Sequence, residues 1–553
     1  MESAVKDPTY VENQRDETAG SMDPLPGAGA AQTARRPPGQ RALSDQEREQ
    51  RQIALCATVP DKQQAMCQCS KVIHYSVFFD GTGNNRFDEL AKEPDQQALS
   101  NIAKLFDAHK MDMSAGIVRS YVPGIGTKYP EIGDTGGGLA QATGTGGKER
   151  IKKALDMLGD EIAKVPSSQK VRLINVVVFG FSRGAAEARA FIRDLAAKCT
   201  AVGGAYRYKD IPLRVAFVGV FDTVCSAYDG LPSAAVTWNG GHNGWADGMK
   251  LPPMVEQCVH MMAAHEARRR FPLDSTRIDA AYPDNTIEIW YPGVHADVGG
   301  GYSPMYQGRE NTVSRFALNE MFDLAFAAGV LFNPVETLPG RVRDEFNKDD
   351  PKLREAFSAY LSAVPLKTGP MEEVQAAHME LLHRWVKERI HQGDSSESVQ
   401  RLKQKMLQAK KTKTQLERRR QAILAQAVIV DPTMPPILPA DKTQEYDQIN
   451  QEIRKVDEAY DEADSALSDL GQENVKFEMD AEAISEKAQQ GWKLTLRERT
   501  ILEAWQNEKP LPDGVRKFFD LFAHNSIVHF NYDTSRLSDW RTIFFGETKY
   551  KPS

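Results

Sequence analysis

The stretch Val176-Val177-Val178-Phe179-Gly180-Phe181-Ser182-Arg183-Gly184-Ala185-Ala186 decides the fold. An unbroken apolar run ends at a glycine, one serine stands between two glycines, and an alanine-rich stretch follows. That order reads as a buried strand, a sharp turn and a helix, with Gly180-x-Ser182-x-Gly184 at the turn. Such a turn lifts the serine hydroxyl above the edge of a sheet. Side chains at the flanking positions would clash there, so Gly180 and Gly184 support the geometry.

Similar runs lie on either side: Val72 to Phe79, Val171 to Phe179, Val215 to Phe221, and Ile287 to Trp290. Each is short, rich in Val, Ile or Phe, and soon followed by Gly or Asp, as strands buried on both faces are. The segments Ala185 to Cys199 and Val255 to Phe271 have helical lengths. The alternation predicts a doubly wound α/β domain over roughly 70–335, an α/β-hydrolase-like, mostly parallel sheet flanked by helices.

A serine hydroxyl is a weak nucleophile at neutral pH and needs a base, itself oriented by a carboxylate. In a parallel sheet these groups belong just past the C-terminal ends of strands. The run Val215 to Phe221 delivers Asp222 there, and the run ending near Val294 delivers His295. Asp297 is the rival to Asp222 as the acid. Among the eleven histidines, His260 and His265 fall on a predicted helix, whereas His524 and His529 lie in an apolar C-terminal segment that could approach the site. The developing oxyanion needs backbone donors. Arg183, directly after the serine, supplies one N–H, and the loop Asp80-Gly81-Thr82-Gly83 after the first strand supplies Gly81 and Thr82 as candidates for the second. Asp80 and Asp297 also admit a metal-dependent phosphatase reading.

Other classes are less favoured. With 69 basic against 76 acidic residues the net charge is −7, so no global basic footprint for nucleic acid exists. No apolar run approaches the roughly 18 residues of a membrane-spanning helix, and Met1 to Asp7 lacks the pattern of a secretory signal. Cys67 and Cys69 form a single clustered pair among six cysteines, too little for a zinc pattern, although a disulfide from Cys56 to that pair is open. No metal and no cofactor are expected.

Residues 1–50 are polar and rich in Gly and Pro, and read as a flexible arm. The catalytic domain is expected over 51–364, a helical or coiled-coil hairpin insertion over 365–500, and a C-terminal segment returning to the catalytic domain over 501–553. Tyr446, Ile449, Ile453, Val456, Tyr460, Ala463, Leu467 and Leu470 follow an alternating three-and-four spacing. Upstream, residues 401–424 carry nine Lys or Arg and one Glu, whereas 441–470 carry ten Asp or Glu and three Lys or Arg. Opposite charge across the proline-rich turn at 431–436 favours an antiparallel hairpin, read as a scaffold or docking arm rather than a catalytic element. Val515 to Phe522 reads as a core helix, with a lid or membrane anchor as the alternative.

Four motifs together carry a family resemblance. Phe78-Phe79-Asp80-Gly81-Thr82-Gly83-Asn84-Asn85, Gly180 to Ala185, Gly219 to Val224 and Pro292 to Tyr302 resemble the first subfamily of type VI secretion lipase effectors. The resemblance implies an antibacterial phospholipase A with Ser182, Asp222 and His295 as triad, acting on membrane glycerophospholipids in the target-cell periplasm. It also implies a type VI spike protein (VgrG) as carrier, a cognate immunity lipoprotein as inhibitor, and export without a signal peptide. The alternatives are a soluble carboxylesterase or thioesterase with the same triad, and a catalytically silent hydrolase-fold adaptor.

Overall fold

A computed structural model describes residues 9–11, 37–58, 70–137, 144–225, 244–268, 270–278, 281–428, 438–526 and 540–545. Cys67, Cys69 and His529 lie outside these residues. So does the proline-rich turn of the hairpin.

Six parallel strands form the centre of the molecule: β2 (Ser70–Phe79), β3 (Ile117–Val122), β4 (Lys170–Phe181), β7 (Ile211–Phe221), β8 (Cys258–Ala263) and β9 (Thr286–Tyr291). Their spatial order is β9-β8-β7-β4-β2-β3. β1 (Thr9–Val11) closes the β9 edge antiparallel, and the hairpin of β5 (Cys199–Val202) and β6 (Ala205–Tyr208) extends from β7. The chain runs outward from β2 to β3 and then returns to the other side of β2 as β4. The direction of winding therefore reverses between β2 and β4, where open α/β sheets place their ligands beyond the strand C-termini.

Two apolar layers sandwich the sheet. On one face Val176, Val178, Val218 and Val220 pack with α3 (Arg183–Ala196) and α2 (Gly147–Ala163). On the other, Val177, Phe179, Phe217 and Met261 meet α4 (Ser314–Ala327), α5 (Pro351–Ala363) and α10 (Asp513–Leu521). Alternating residues of each strand thus feed opposite cores, which is why these strands read as unbroken apolar runs. Val515, Phe518 and Phe519 of α10 are buried, with Phe518 4.6 Å from Tyr360 of α5, so this segment is a core helix in the structure.

Three expectations need correction. The segment Val255 to Phe271 is not helical: it supplies β8, wholly buried between β7 and β9, and packing there overrides the helix preference of its Met and Ala residues. The segment 1–50 is not an arm throughout. Thr9–Val11 pairs with β9, and α1 (Asp45–Cys56) starts from a Ser44/Glu47 capping box that Arg41 braces through Glu47. β3 has no counterpart among the sequence-read strands.

α7 (Glu397–Leu424) and the 50-residue α8 (Ala440–Gln489) lie antiparallel, with Lys405 bonded to Glu462, Lys413 to Asp457 and Arg419 to Glu445. Leu416, Ile423, Ile449 and Ile453 make the apolar contact between them. α6 (Met371–Gln392) and α9 (Leu496–Gln506) connect this pair to the body. No helix among the described residues is long and apolar enough to cross a membrane.

Candidate active site

Because β2, β4, β7 and β9 are parallel, the residues that follow them emerge at one edge. Phe79 is in register with Gly180, Phe181 with Phe221, and β8 carries the register on to Tyr291. Asp80, Ser182, Asp222 and the Pro292-Gly293-Val294-His295 turn therefore gather at the same rim, beside the reversal point.

Ser182 has φ 59° and ψ −127°, a left-handed conformation that costs a non-glycine residue about 1–3 kcal/mol. Its N–H donates to Phe221 O at 3.0 Å, and its carbonyl accepts from Ala185 and Val224. These bonds hold the strained turn. A Cβ on Gly180 would sit 2.4 Å from Gly184 O, and one on Gly184 only 2.2 Å from Asp80 O. Both flanking glycines are thus sterically obligatory, which is the reason given for them above.

His295 Nδ1 lies 2.5 Å from Asp222 Oδ2. Asp222 is fully buried, with φ 41°, and its Oδ1 accepts from Ala263 N–H at 2.8 Å and from Arg541 Nη1 at 2.6 Å. Burial alone would raise the Asp222 pKa, but the Arg541 guanidinium and then His295 outweigh it and hold the carboxyl far below its usual range. Burial lowers the His295 pKa below that of a free imidazole, and the Asp222 bond opposes this. The imidazole packs between Phe181, 4.6 Å away, and Phe271, 5.1 Å away. Its backbone N–H donates to Glu266 Oε2, and Glu266 forms a two-pronged pair with Arg268, whose guanidinium covers Phe271 at 3.4 Å.

Asp297 is not brought to His295 as an acid. It accepts from the backbone N–H of Val294 and of His524, and pairs with His524 Nδ1 at 2.6 Å. Tyr302 stacks on the His524 ring at 4.2 Å. Behind His524 a cavity of about 30 Å³, lined also by Arg309, Arg389, Glu473 and Asn525, has room for a water or two. His260 and His265 are buried in pairs of their own, with Glu288 and Tyr360.

The loop after β2 differs in one detail from expectation. The Gly81 N–H donates to Asp80 Oδ1 at 2.7 Å, so it is spent on its own neighbour. The other Asp80 oxygen accepts from Tyr121 Oη at 2.5 Å, and burial pushes the Asp80 pKa up to about 6. Thr82 Oγ1 accepts from Arg183 Nε at 2.6 Å, which ties the loop to the first residue of α3. Of that first turn, the Ala185 and Ala186 N–H groups donate to the Ser182 carbonyl. Asp80 and Asp297 are each held by separate partners, and among the described residues no group of three or more His, Cys, Asp or Glu is gathered to hold a metal.

Two contributors were given no role in the site from the sequence, although Glu266 opens the stretch Glu266 to Phe271 that shares in the family resemblance. Arg541 is 319 residues from Asp222 along the chain, and no motif surrounds it. Glu266 sits at the end of β8, whose strand character was itself misread.

The fold has counterparts. Residues 74–203 and 197–324 match the family model described as "T6SS, Phospholipase effector Tle1-like, catalytic domain". A crystal structure of an uncharacterized protein from Pseudomonas aeruginosa superposes with a TM-score of 0.66 at 23% identity, covering 91% of this chain and 83% of that one. The Tle1 effector, solved bound to the VgrG spike from the type 6 secretion system, gives a TM-score of 0.37 at 21% identity over 56% of this chain and 84% of that one. No curated protein matches the chain. Over residues 74–324 the chain thus matches the catalytic-domain model of the Tle1-like phospholipase effectors of the type VI secretion system.

Proposed function

We propose that this phospholipase effector is a serine phospholipase A, with Ser182 as nucleophile, His295 as general base and Asp222 as the acid that orients it. One observation carries the reading: the 2.5 Å bond from His295 Nδ1 to a buried Asp222 carboxylate, at the rim where Ser182 stands in a left-handed elbow. That bond fixes the tautomer with the proton on Nδ1, leaving Nε2 free to accept.

The reaction proceeds in two acyl transfers. Ser182 Oγ attacks the ester carbonyl as its proton passes to His295 Nε2. The tetrahedral oxyanion is met by the N–H groups of Arg183 and Thr82, with Gly81 committed to Asp80. Collapse breaks the ester C–O bond, and the leaving lysophospholipid oxygen takes the proton from His295. Water, deprotonated by the same imidazole, then attacks the acyl-serine and releases the fatty acid. The charged residues around the base are Asp222, Arg541, Glu266 and Arg268, and Glu266 is neutralised by Arg268. Ser182 and His295 are 4% and 6% exposed, so the reacting groups are shielded from bulk water.

The remaining parts of the reading follow the family. The substrate is a membrane glycerophospholipid in the target-cell periplasm, the carrier a VgrG spike, and the inhibitor a cognate immunity lipoprotein. The α7–α8 hairpin serves docking and takes no part in the chemistry. Ser182→Ala tests the core of it: the variant should fold with an unchanged melting temperature yet lose phospholipid hydrolysis and fluorophosphonate labelling. Hydrolysis of vesicles by a folded Ser182→Ala protein would overturn the reading. Activity on short soluble esters alone would favour the carboxylesterase alternative.

A further inference from the structure

The two oxygens of Asp222 have separate tasks. Oδ2 faces His295 Nδ1, whereas Oδ1 takes the Ala263 N–H and the Arg541 guanidinium. Arg541 is fully buried, as is Asp222. Its Nε donates to Phe271 O at 2.9 Å, in the residue whose ring lies against His295. The strand-like pair Leu273–Asp274 with Ile543–Phe544 holds this segment on one side. On the other, Arg497 of α9 donates to the carbonyls of Trp540 and Arg541 at 2.7 and 3.1 Å.

Burying a guanidinium costs several kcal/mol of desolvation, which an apolar side chain of similar volume would avoid. Asp222 already has a backbone donor on Oδ1 and an imidazole on Oδ2. The cation is therefore not needed merely to satisfy a lone pair. What it adds is a second fixed point, 2.6 Å from Oδ1, that prevents rotation of the carboxylate about its Cβ–Cγ bond.

We propose that Arg541 is a positioning residue for the hydrolysis: its guanidinium locks the Asp222 carboxylate so that Oδ2 alone faces His295 Nδ1. The proposal rests on the triad reading above. Without Arg541 the carboxylate turns, the imidazole loses its fixed tautomer, and attack by Ser182 slows while substrate binding is spared. Loss of the cation also eases protonation of both Asp222 and His295, since Glu266 and Arg268 cancel one another. The acid limb of the rate profile then moves to higher pH.

The test compares Arg541→Gln and Arg541→Lys with the natural protein on phospholipid vesicles, beside Ser182→Ala. Arg541→Gln should lower kcat on the order of 10- to 100-fold, the usual cost of removing a group that orients a reacting one. KM should stay within about twofold. The acid limb should move upward, and Arg541→Lys should recover part of both effects. In an Asp222→Asn background Arg541→Gln should cost less than it does alone, because the arginine acts through Asp222. Circular dichroism and thermal melting establish the folded fraction. A folded Arg541→Gln protein with natural kcat and acid limb overturns the proposal, as does a loss that only tracks the unfolded fraction with the acid limb unmoved. If folded Ser182→Ala remains active, the triad reading itself fails, and that result is distinct from either.

Discussion

Asp297 turns away from His295, only two positions earlier, and closes a 2.6 Å pair with His524 from the C-terminal side of α10. Two Asp–His pairs therefore stand side by side, and only one of them reaches the serine elbow. Asp297→Asn should lower stability by about 1–3 kcal/mol, the cost of weakening a buried polar contact, and leave the acid limb of the rate profile in place. Asp222→Asn should instead cost roughly 10⁴ in kcat as the wrong imidazole tautomer is populated. Melting curves and pH–rate profiles for both variants check this. A catalytic loss in Asp297→Asn matching that in Asp222→Asn would reverse the assignment of the acid.

Thr82→Val keeps the β-branched shape and removes only the Oγ1 acceptor of Arg183 Nε. The loop after β2 is then no longer tied to α3, and its amide drifts from the oxyanion position. The expected outcome is a drop in kcat of roughly tenfold, about 1.4 kcal/mol of transition-state stabilisation, with little change in melting temperature. Steady-state kinetics on vesicles measures it; an unchanged kcat would remove Thr82 from the oxyanion site.

Gly184→Ala is expected to be far more damaging than its size suggests. The new methyl group would lie 2.2 Å from the Asp80 carbonyl, a backbone atom that cannot swing aside. About 1–3 kcal/mol of overpacking is the ordinary range, and the rigid neighbour places this substitution at its upper end. Chemical denaturation reads the effect, and stability equal to that of the natural protein would contradict the described elbow.

Glu187, one turn into α3, is fully buried and neither carboxylate oxygen has a hydrogen-bond partner among the described residues. Burial raises its pKa to about 8 against the partial opposition of Arg150 and Arg183. The folded protein thus keeps a proton that the unfolded chain releases near pH 4.5, so stability falls as pH rises from there to about 8. Glu187→Gln removes that slope. Its melting temperature should exceed that of the natural protein at pH 8 and converge with it near pH 4.5; equal melting curves at both pH values would show the carboxyl to be solvated.

Which elements could be read from sequence follows from how each is buried. β2, β4, β7 and β9 were legible because a strand covered on both faces is apolar at most positions, here with Val, Ile and Phe dominating. β8 is equally buried, yet its Cys-Val-His-Met-Met-Ala carries two methionines and a histidine paired to Glu288, which blurred the pattern into a helix. β3 escaped notice because Arg119 and Ser120 interrupt its apolar residues, with Arg119 turned onto the carbonyls of Phe106 and His109. At the site, Ser182, Asp222 and His295 stand out because each follows a strand end. Arg541 stands just before a two-residue strand, Ile543–Phe544, and its partner lies far back along the chain, before the helical region. Pairings of that kind leave no local trace.

The separation of 319 positions between Asp222 and Arg541 also orders events during synthesis. A nascent chain has made Ser182, Asp222 and His295 well before Arg541 is translated, so the contact between Asp222 and Arg541 is a late, non-local one. On the role proposed for Arg541, a copy cut short before that residue stays a blunt instrument.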